Sequence, residues 1–442
     1  MEKALSGYKG KAAEALRRAR VSVGDNIRIT KGNQIYEGTL FPRSEYADDR
    51  HIVIKLRNGY NVGIQWSNGT VIEFMSKGEK PQFTSPPRPE ERPKLPRVSI
   101  MSTGGTIASR VDYRTGAVQP ALTAEDLYCF VPEISDIARI DAKILCSEFS
   151  ENIGPNHWRD MAQATATELK NGAEGVVFSH GTDTMGYTAA ALSFALRNLS
   201  SPVVLVGAQR SSDRPSSDAA PNLIAATAIA ARASFAEVVV AMHEASSDEY
   251  VTIHRGTRVR KCHTSARDAF RTMDPEPLGR FDLRNLHLEV FAETFQSRDP
   301  SKSVEVVADF EEKVALLKFH PNFNPAVIDW YQEKEYRGLV LEGTGLGHVG
   351  RACFEPLKRA LGSGLLVGMT SQCIWGAVDM NVYETGRDLL AMGIISLGDM
   401  IPETAYVKMM WVLGQTTDLA KAREMMMTNV TGEASQRRLL QS

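Results

Sequence analysis

Two short segments carry hydroxyls where a reacting group could be mounted. MSTGGTIASR, residues 101–110, sets two glycines between Thr103 and Thr106 at the end of an apolar run. VVFSHGTDTM, residues 176–185, repeats the arrangement and adds Asp183 beside Thr182. In open α/β sheets ligands bind beyond the carboxyl ends of the strands, so two such loops on neighbouring strands would gather Thr106, Thr182 and Asp183 around one cleft. Read singly, either loop is equally well an ordinary strand–helix turn with hydroxyl caps. A phosphate cradle fits the first loop poorly, because TGGTIAS has neither GxGxxG spacing nor a Gly-Lys-Ser/Thr ending. The glycines there allow the backbone to come close to a small substrate and to offer it N–H groups.

A threonine hydroxyl is a poor nucleophile near neutral pH unless a neighbour takes its proton. A desolvated lysine, tuned down to about 7–8, can do so. RGTRVRKCHTSARDAF (255–270) holds Lys261 after an alternating, strand-like run. On spacing alone Lys261 is one lysine among many, and a solvated position is its default. His180, ahead of the Gly-Thr-Asp, reads as a buttress of the loop. Cys262 and His263 make no convincing nucleophile pair, and no HExxH or paired His/Cys spacing points to a metal.

The elements that must position these groups follow from the hydrophobic pattern. RVSIM (97–101), EGVVFS (174–179), PVVLVG (202–207) and EVVVAM (237–242) are short, nearly continuous apolar runs, as expected of strands buried on both faces. Between them HWRDMAQATATELKNG and MGYTAAALSFALRNL read as helices, the second apolar on one face. Such alternation predicts a parallel-sheet α/β domain over 97–305. KVALLKF, RGLVLEGTG and GLLVGMTS predict a second, smaller α/β domain over 306–442. The segment 81–96 has six prolines and reads as a stiff linker. Before it, in 1–80, a basic helix precedes about five short β-branched runs broken by Gly/Asn turns, the pattern of a small antiparallel SH3-like β-barrel. The methionine-rich stretches at Met409, Met410, Trp411 and at Met425, Met426, Met427 read as core or partner-facing packing.

Composition excludes several classes. The formal net charge of −2 gives no field for wrapping nucleic acid, so any RNA contact would be local or made through a partner. No apolar run approaches the roughly 18 residues of a membrane span. Five widely spaced cysteines without a CxxC fit reduced thiols and a cytoplasmic setting.

Together, TGGTIAS (103–109), SHGTDTM (179–185), PVVLVGAQR (202–210) and RVRKCHTS resemble the bacterial-type L-asparaginase/glutaminase family, over most of 97–390. The resemblance implies a two-domain asparaginase-like α/β fold. It implies Thr106 as nucleophile, with Tyr113 closing over it from the flap after the first strand. It implies a second triad of Thr182, Asp183 and Lys261, in which lysine and threonine handle protons and Asp183 binds the substrate's α-amino group. Ser150 and Glu151, in register with Trp158, fall where the family binds the substrate carboxylate, and Gly105 belongs to the nucleophile loop at the substrate. The implied chemistry is amide hydrolysis through an acyl-enzyme, with no metal or cofactor in this chain. Where the family carries an acidic residue from a neighbouring subunit, the register gives Gly386, with Glu384 close by.

The barrel, the linker and a tail containing LVLEGTGLGHVG, MTSQCIWGAVDMNVYETGR and MIPETAYVKMMWVLGQ resemble a narrower group within that family. These are the glutamine-hydrolysing D-type subunits of archaeal two-subunit tRNA-dependent amidotransferases. That resemblance implies glutamine as substrate and ammonia passed to an E-type subunit that binds tRNA(Gln) and uses ATP and Mg²⁺. It also implies a homodimer within a heterotetramer. The alternatives are a free-standing cytoplasmic type I L-asparaginase with an added N-terminal module, and a catalytically silent amino-acid-binding protein.

Overall fold

The computed structural model describes residue 5 and residues 7–43, 48–56, 61–77, 94–105, 109–111, 118–120, 127, 131–210, 217–274 and 276–435. Near the N-terminus, helix α1 (Gly10–Arg18) turns Ala12, Ala13 and Leu16 inward. They pack on strands β1 (Asn26–Lys31), β2 (Gln34–Leu40), β3 (His51–Lys55), β4 (Asn61–Gln65) and β5 (Thr70–Ser76). These pair antiparallel in the order β4-β3-β2-β1-β5. Alternation sends Ile27, Ile29, Ile52 and Ile54 to the shared core with Leu16, so the basic helix is a packed lid on its own small domain.

The larger domain is built on eight strands: β6 (Arg97–Ser102), β9 (Arg139–Ile144), β10 (Gly175–Ser179), β12 (Val203–Val206), β13 (Val238–His243), β14 (Tyr250–Arg255), β17 (Gly279–Asp282) and β18 (His287–Val290), in the order β18-β17-β14-β13-β12-β10-β6-β9. The five strands from β13 to β9 run parallel, as the continuous apolar runs predict. β14, β17 and β18 run antiparallel, so the sheet is mixed rather than wholly parallel. The short connection from His243 to Tyr250 has no room for a crossover helix, which forces the chain to turn back.

Outside that sheet lie the hairpin β7 (Ser109–Val111) with β8 (Val118–Pro120), the pair β11 (Leu196–Arg197) with β19 (Glu305–Val306), and the ribbon β15 (Val259–Lys261) with β16 (Phe270–Thr272). The smaller domain is a four-stranded parallel sheet of β20 (Val314–Lys318), β21 (Gly338–Gly343), β22 (Leu366–Ser371) and β23 (Ile395–Ser396).

Helix α2 (Pro155–Lys170) starts on a proline, whose missing N–H is no loss in the first turn, and ends before Gly172 at φ +86°. Its Trp158, Met161, Ala162 and Thr165, at helical spacing, are buried. α3 (Met185–Ala195) departs from expectation. It is buried nearly all round, because it lies between the large sheet and α8 (Pro402–Gln415) of the smaller domain, with Phe194 stacked on Trp411 at 5.6 Å. One apolar core therefore runs through both domains, and Met409, Met410 and Trp411 belong to it. The other face of the large sheet is covered by α4 (Ala219–Arg232), and that of the small sheet by α5 (Ala326–Glu333), α6 (Phe354–Gly362) and α7 (Glu384–Met392). α9 (Leu419–Met427) follows α8 and buries Ala422 and Met426, while Met427 stays exposed. No helix among the described residues is long and apolar enough to cross a membrane.

Candidate functional site

β6 and β10 are adjacent and parallel, with Ser102 level with Ser179, so both hydroxyl loops leave the sheet side by side at its carboxyl edge. Thr103 is buried, and its N–H and hydroxyl both donate to the Ser179 carbonyl at 3.0 Å. It ties the loops together. Gly104 has φ +113°, and a Cβ there would lie 2.3 Å from the Glu148 carbonyl oxygen. Gly105 has φ +78°, and its Cβ would lie 2.9 Å from the Gly181 nitrogen. The two glycines are thus demanded by close approach to two other loops as well as by the left-handed backbone. Thr106 and Tyr113 lie outside the described residues.

The third loop follows β9. Ser150 opens a single 3-10 turn, Ser150–Asn152, and is buried, while Glu151 beside it is exposed. The Thr184 hydroxyl donates to the Ser150 carbonyl at 2.5 Å. A Cβ on Gly181 would fall 2.7 Å from Ser150 Cβ, so glycine is again needed for the approach. Gly105, Ser150 and the 181–184 loop therefore converge on one place.

Lys261 reaches the same place from the end of the β15 strand. Its Nζ donates to Thr182 Oγ1 at 2.8 Å and to Asp183 Oδ1 at 2.7 Å. The lysine side chain is 13% exposed and Asp183 is 70% exposed, so an ammonium on a largely covered stem meets a carboxylate that faces solvent. An ammonium held on a hydroxyl is an arrangement for proton transfer at that oxygen.

His180 lies behind the loop. Its Nδ1 contacts the Gly181 carbonyl at 2.6 Å and its Nε2 the Thr188 hydroxyl at 3.0 Å. A carbonyl only accepts, so the proton sits on Nδ1 and Nε2 accepts from Thr188. Thr188 in turn accepts from Trp158 Nε1 at 3.1 Å. Burial pushes the His180 pKa down to about 4, and the neutral ring serves as a strut between α2, α3 and the loop. His263 accepts the backbone N–H groups of Ser265 and Ala266 at 3.0 and 2.9 Å, and burial raises the Cys262 thiol. Neither residue is set up as a nucleophile.

Among the described residues no group of three or more His, Cys, Asp or Glu side chains could hold a metal ion. At Gly386 a Cβ would lie 2.4 Å from the Met380 carbonyl oxygen, so this backbone has no room for an acidic side chain there. Glu384 is exposed at the start of α7, 3.9 Å from Arg351.

Sequence reasoning missed the anchors of the stretch that leads into Lys261. Arg258 is 2% exposed and bonds to Asp399, Asp274, Gly432 and Ser435, while Arg260 pairs with Glu403. Arg258 lies in an otherwise ordinary RVRK run, and its partners are more than a hundred residues away apart from Asp274, so local spacing carried no signal of them.

Three family models match the chain: the GatD N-terminal domain over residues 21–75, the asparaginase N-terminal domain over 97–294 and the glutaminase/asparaginase C-terminal domain over 313–426. Among solved structures, the thermostable L-asparaginase of Thermococcus kodakarensis is 31% identical at a TM-score of 0.67, over 77% of this chain and 100% of its own. L-asparaginase I of Vibrio cholerae is 26% identical at a TM-score of 0.68, over 77% of this chain and 99% of its own. The D-type subunit of the glutamyl-tRNA(Gln) amidotransferase of Methanopyrus kandleri is 51% identical over 99% of this chain and 96% of that protein. That of Pyrococcus furiosus is 51% identical over 95% and 96%. Identity of this order over nearly the whole chain, with the GatD N-terminal domain matched at 21–75, means that the chain belongs to the family of D-type glutamyl-tRNA(Gln) amidotransferase subunits.

Proposed function

We propose that this chain is the glutaminase subunit of a tRNA-dependent amidotransferase. It releases ammonia from glutamine for conversion of Glu-tRNA(Gln) to Gln-tRNA(Gln) on a partner subunit. The observation that carries the reading is the Lys261 ammonium held on Thr182 and Asp183, beside the glycine-mounted loop that leads into Thr106, in a chain of this family.

In the proposed reaction the Thr106 hydroxyl oxygen attacks the side-chain amide carbon of glutamine. The Lys261 ammonium gives a proton to the amide nitrogen and is reprotonated through Thr182, which takes the Thr106 proton; the C–N bond breaks and ammonia leaves. Water then attacks the acyl ester, glutamate departs and the Thr106 hydroxyl is restored. Backbone N–H groups hold the oxyanion, each worth about 10²–10³ in rate. Tyr113 closes over the nucleophile, Asp183 takes the substrate's α-amino group, Ser150 and Glu151 border its carboxylate end, and Gly105 meets the substrate from the nucleophile loop.

The relatives are named as one subunit of an amidotransferase, which supports a complex with a partner amidotransferase subunit. We assign tRNA(Gln), ATP and Mg²⁺ to that E-type partner, and a homodimer of this chain to the core of a heterotetramer in the cytoplasm. A free-standing asparaginase is the weaker reading: the asparaginase structures cover 77% of this chain, whereas the amidotransferase relatives cover 95% or more.

The test is ammonia release from Gln and from Asn by the purified chain, first alone and then with an E-type subunit and Glu-tRNA(Gln). Low basal glutamine turnover that rises on assembly is the expected result. Fast asparagine hydrolysis indifferent to any partner would establish the asparaginase instead.

A further inference from the structure

The strand that ends in Lys261 is three residues long and, among the described residues, pairs only with β16, Val259 opposite Thr272 and Lys261 opposite Phe270. An isolated two-stranded ribbon is marginally stable at best, so its aim must be fixed from outside. On one side β15 rests on α3: a Cβ at Gly186 would lie 3.0 Å from the Val259 carbonyl oxygen, and Val259 is fully in the shared core. On the other side, apart from the Met273 N–H and the Asp274 carbonyl just beyond β16, the holds come from the smaller domain and the segment after it.

Arg258, immediately before the strand, is the centre of that hold. Its Nε donates to the Gly432 carbonyl at 2.8 Å, Nη1 to the Asp274 carbonyl at 2.8 Å and to Asp399 at 2.9 Å, and Nη2 to Ser435 at 3.1 Å. Thr404 donates to the Thr257 carbonyl at 2.8 Å, and the Thr257 hydroxyl reaches the Thr431 carbonyl at 3.4 Å. Arg260 meets Glu403 at 3.2 Å. Asp399, Glu403 and Thr404 flank the start of α8, so the two arginines grip the smaller domain at one corner while Lys261 reaches away from it toward Thr182 and Asp183.

We infer that Arg258, seconded by Arg260, is a positioning residue that makes the aim of Lys261 depend on the docking of the smaller domain and of the 428–435 segment. The buried guanidinium uses a planar fork of donors, which a lysine cannot reproduce at four acceptors. A displacement of about 1 Å at the lysine ammonium would take it out of hydrogen-bond range of Thr182, and misplacement of that size can cost about 10² in rate. This rests on the proposed role of Lys261 in glutamine hydrolysis.

The experiment measures kcat and KM for glutamine-dependent ammonia release by the full chain in complex with its partner, for Arg258→Ala, Arg258→Lys, Asp399→Asn, Lys261→Met and Leu357→Ala. Leu357 is buried in the smaller domain's own core, away from the clamp, and reports simple destabilisation. Arg258→Ala is expected to lower kcat about tenfold or more with KM within about twofold, and Arg258→Lys to recover part of the loss. Asp399→Asn, an isosteric change, moves kcat the same way by less and stands in should Arg258→Ala not fold. Leu357→Ala lowers the melting temperature with kcat per folded molecule unchanged. The inference is overturned if Arg258→Ala and Asp399→Asn keep kcat within about twofold, or lose it only in step with the folded fraction as Leu357→Ala does. Full turnover in Lys261→Met would instead sink the reading of Lys261 itself.

Discussion

Lys261 and Thr182 are 79 residues apart in the chain and 2.8 Å apart in space, and the same ammonium lies 2.7 Å from Asp183. Lysine, hydroxyl and carboxylate form a small branched unit whose members lose their geometry together if one is removed. Lys261→Met and Thr182→Val are each expected to lower glutamine-dependent ammonia release by about 10²–10⁴. Transamidation supplied with ammonium salt by the assembled complex should be spared, because the chemistry on tRNA is assigned to the partner. The measurement is a pair of assays on the same preparation, one with glutamine and one with ammonium. Equal loss in both would assign the damage to assembly rather than to the amide-cleaving step.

Gly105, on the other loop, approaches His180 and Gly181, the residues just before Thr182. Gly105→Ala would place a Cβ 2.9 Å from the Gly181 nitrogen at φ +78°, so backbone must move and the loop carrying Thr106 must move with it. We expect glutamine turnover to fall by about tenfold or more. Gly172→Ala is the matched comparison: φ is +86°, but the added Cβ meets nothing within 4 Å. That variant should bear about 1–3 kcal/mol of backbone strain in thermal unfolding and keep its kcat. If the two variants behaved alike, close approach at Gly105 would be irrelevant to turnover.

What the sequence made legible follows from how local each signal is. Apolar runs such as RVSIM and EGVVFS and the Gly-Thr loops after them located the sheet and its working edge. The adjacency of β6 and β10, with Ser102 level with Ser179, then brought both loops together as the pattern required. Direction was harder to read: β14 is β-branched like its parallel neighbours, and only the length of the connection turns it antiparallel. α3 gave the pattern of a one-sided helix yet is covered on every side, because the second cover, α8, comes from a different domain. Arg258 was invisible for the same reason, since Asp399 and Gly432 are brought to it by domain docking. No periodicity encodes that.

Acid should weaken the fold through its buried histidines. Burial lowers His180 to about 4 and His254 to about 3, from an ordinary value near 6.5, so the folded protein holds both rings neutral where the unfolded chain protonates them. The unfolded state then binds more protons, and stability falls as pH drops from about 6.5 toward 4, each histidine contributing about 1.4 kcal/mol per pH unit. Above pH 7 both rings are neutral in either state and this contribution is flat. Thermal unfolding between pH 4.5 and 7.5 checks the slope, and His254→Asn should flatten it. An unchanged slope in that variant would show that other groups dominate.

The segment that supplies Gly432 and Ser435 to Arg258 is itself pinned by a buried ion pair. Lys408 and Glu433 are both fully buried and meet at 2.6 Å. Lys408 also donates to the carbonyls of Met426 and Thr428, and Glu433 accepts the N–H groups of Val430 and Thr431. The pair thus closes the turn after α9 onto α8. Lys408→Met would strand a buried carboxylate and is expected to destabilise the protein by about 3–5 kcal/mol. Adding Glu433→Gln should return part of that loss, because a neutral amide needs no counter-charge and its oxygen still accepts from Thr431. Adding Glu433→Leu should return less, since it removes the charge but orphans both N–H groups. Chemical unfolding of the three variants checks the order. A Lys408→Met protein as stable as the parent would mean that water reaches Glu433, and that the contacts of the segment to Thr257, Arg258 and Asp399 suffice to hold it.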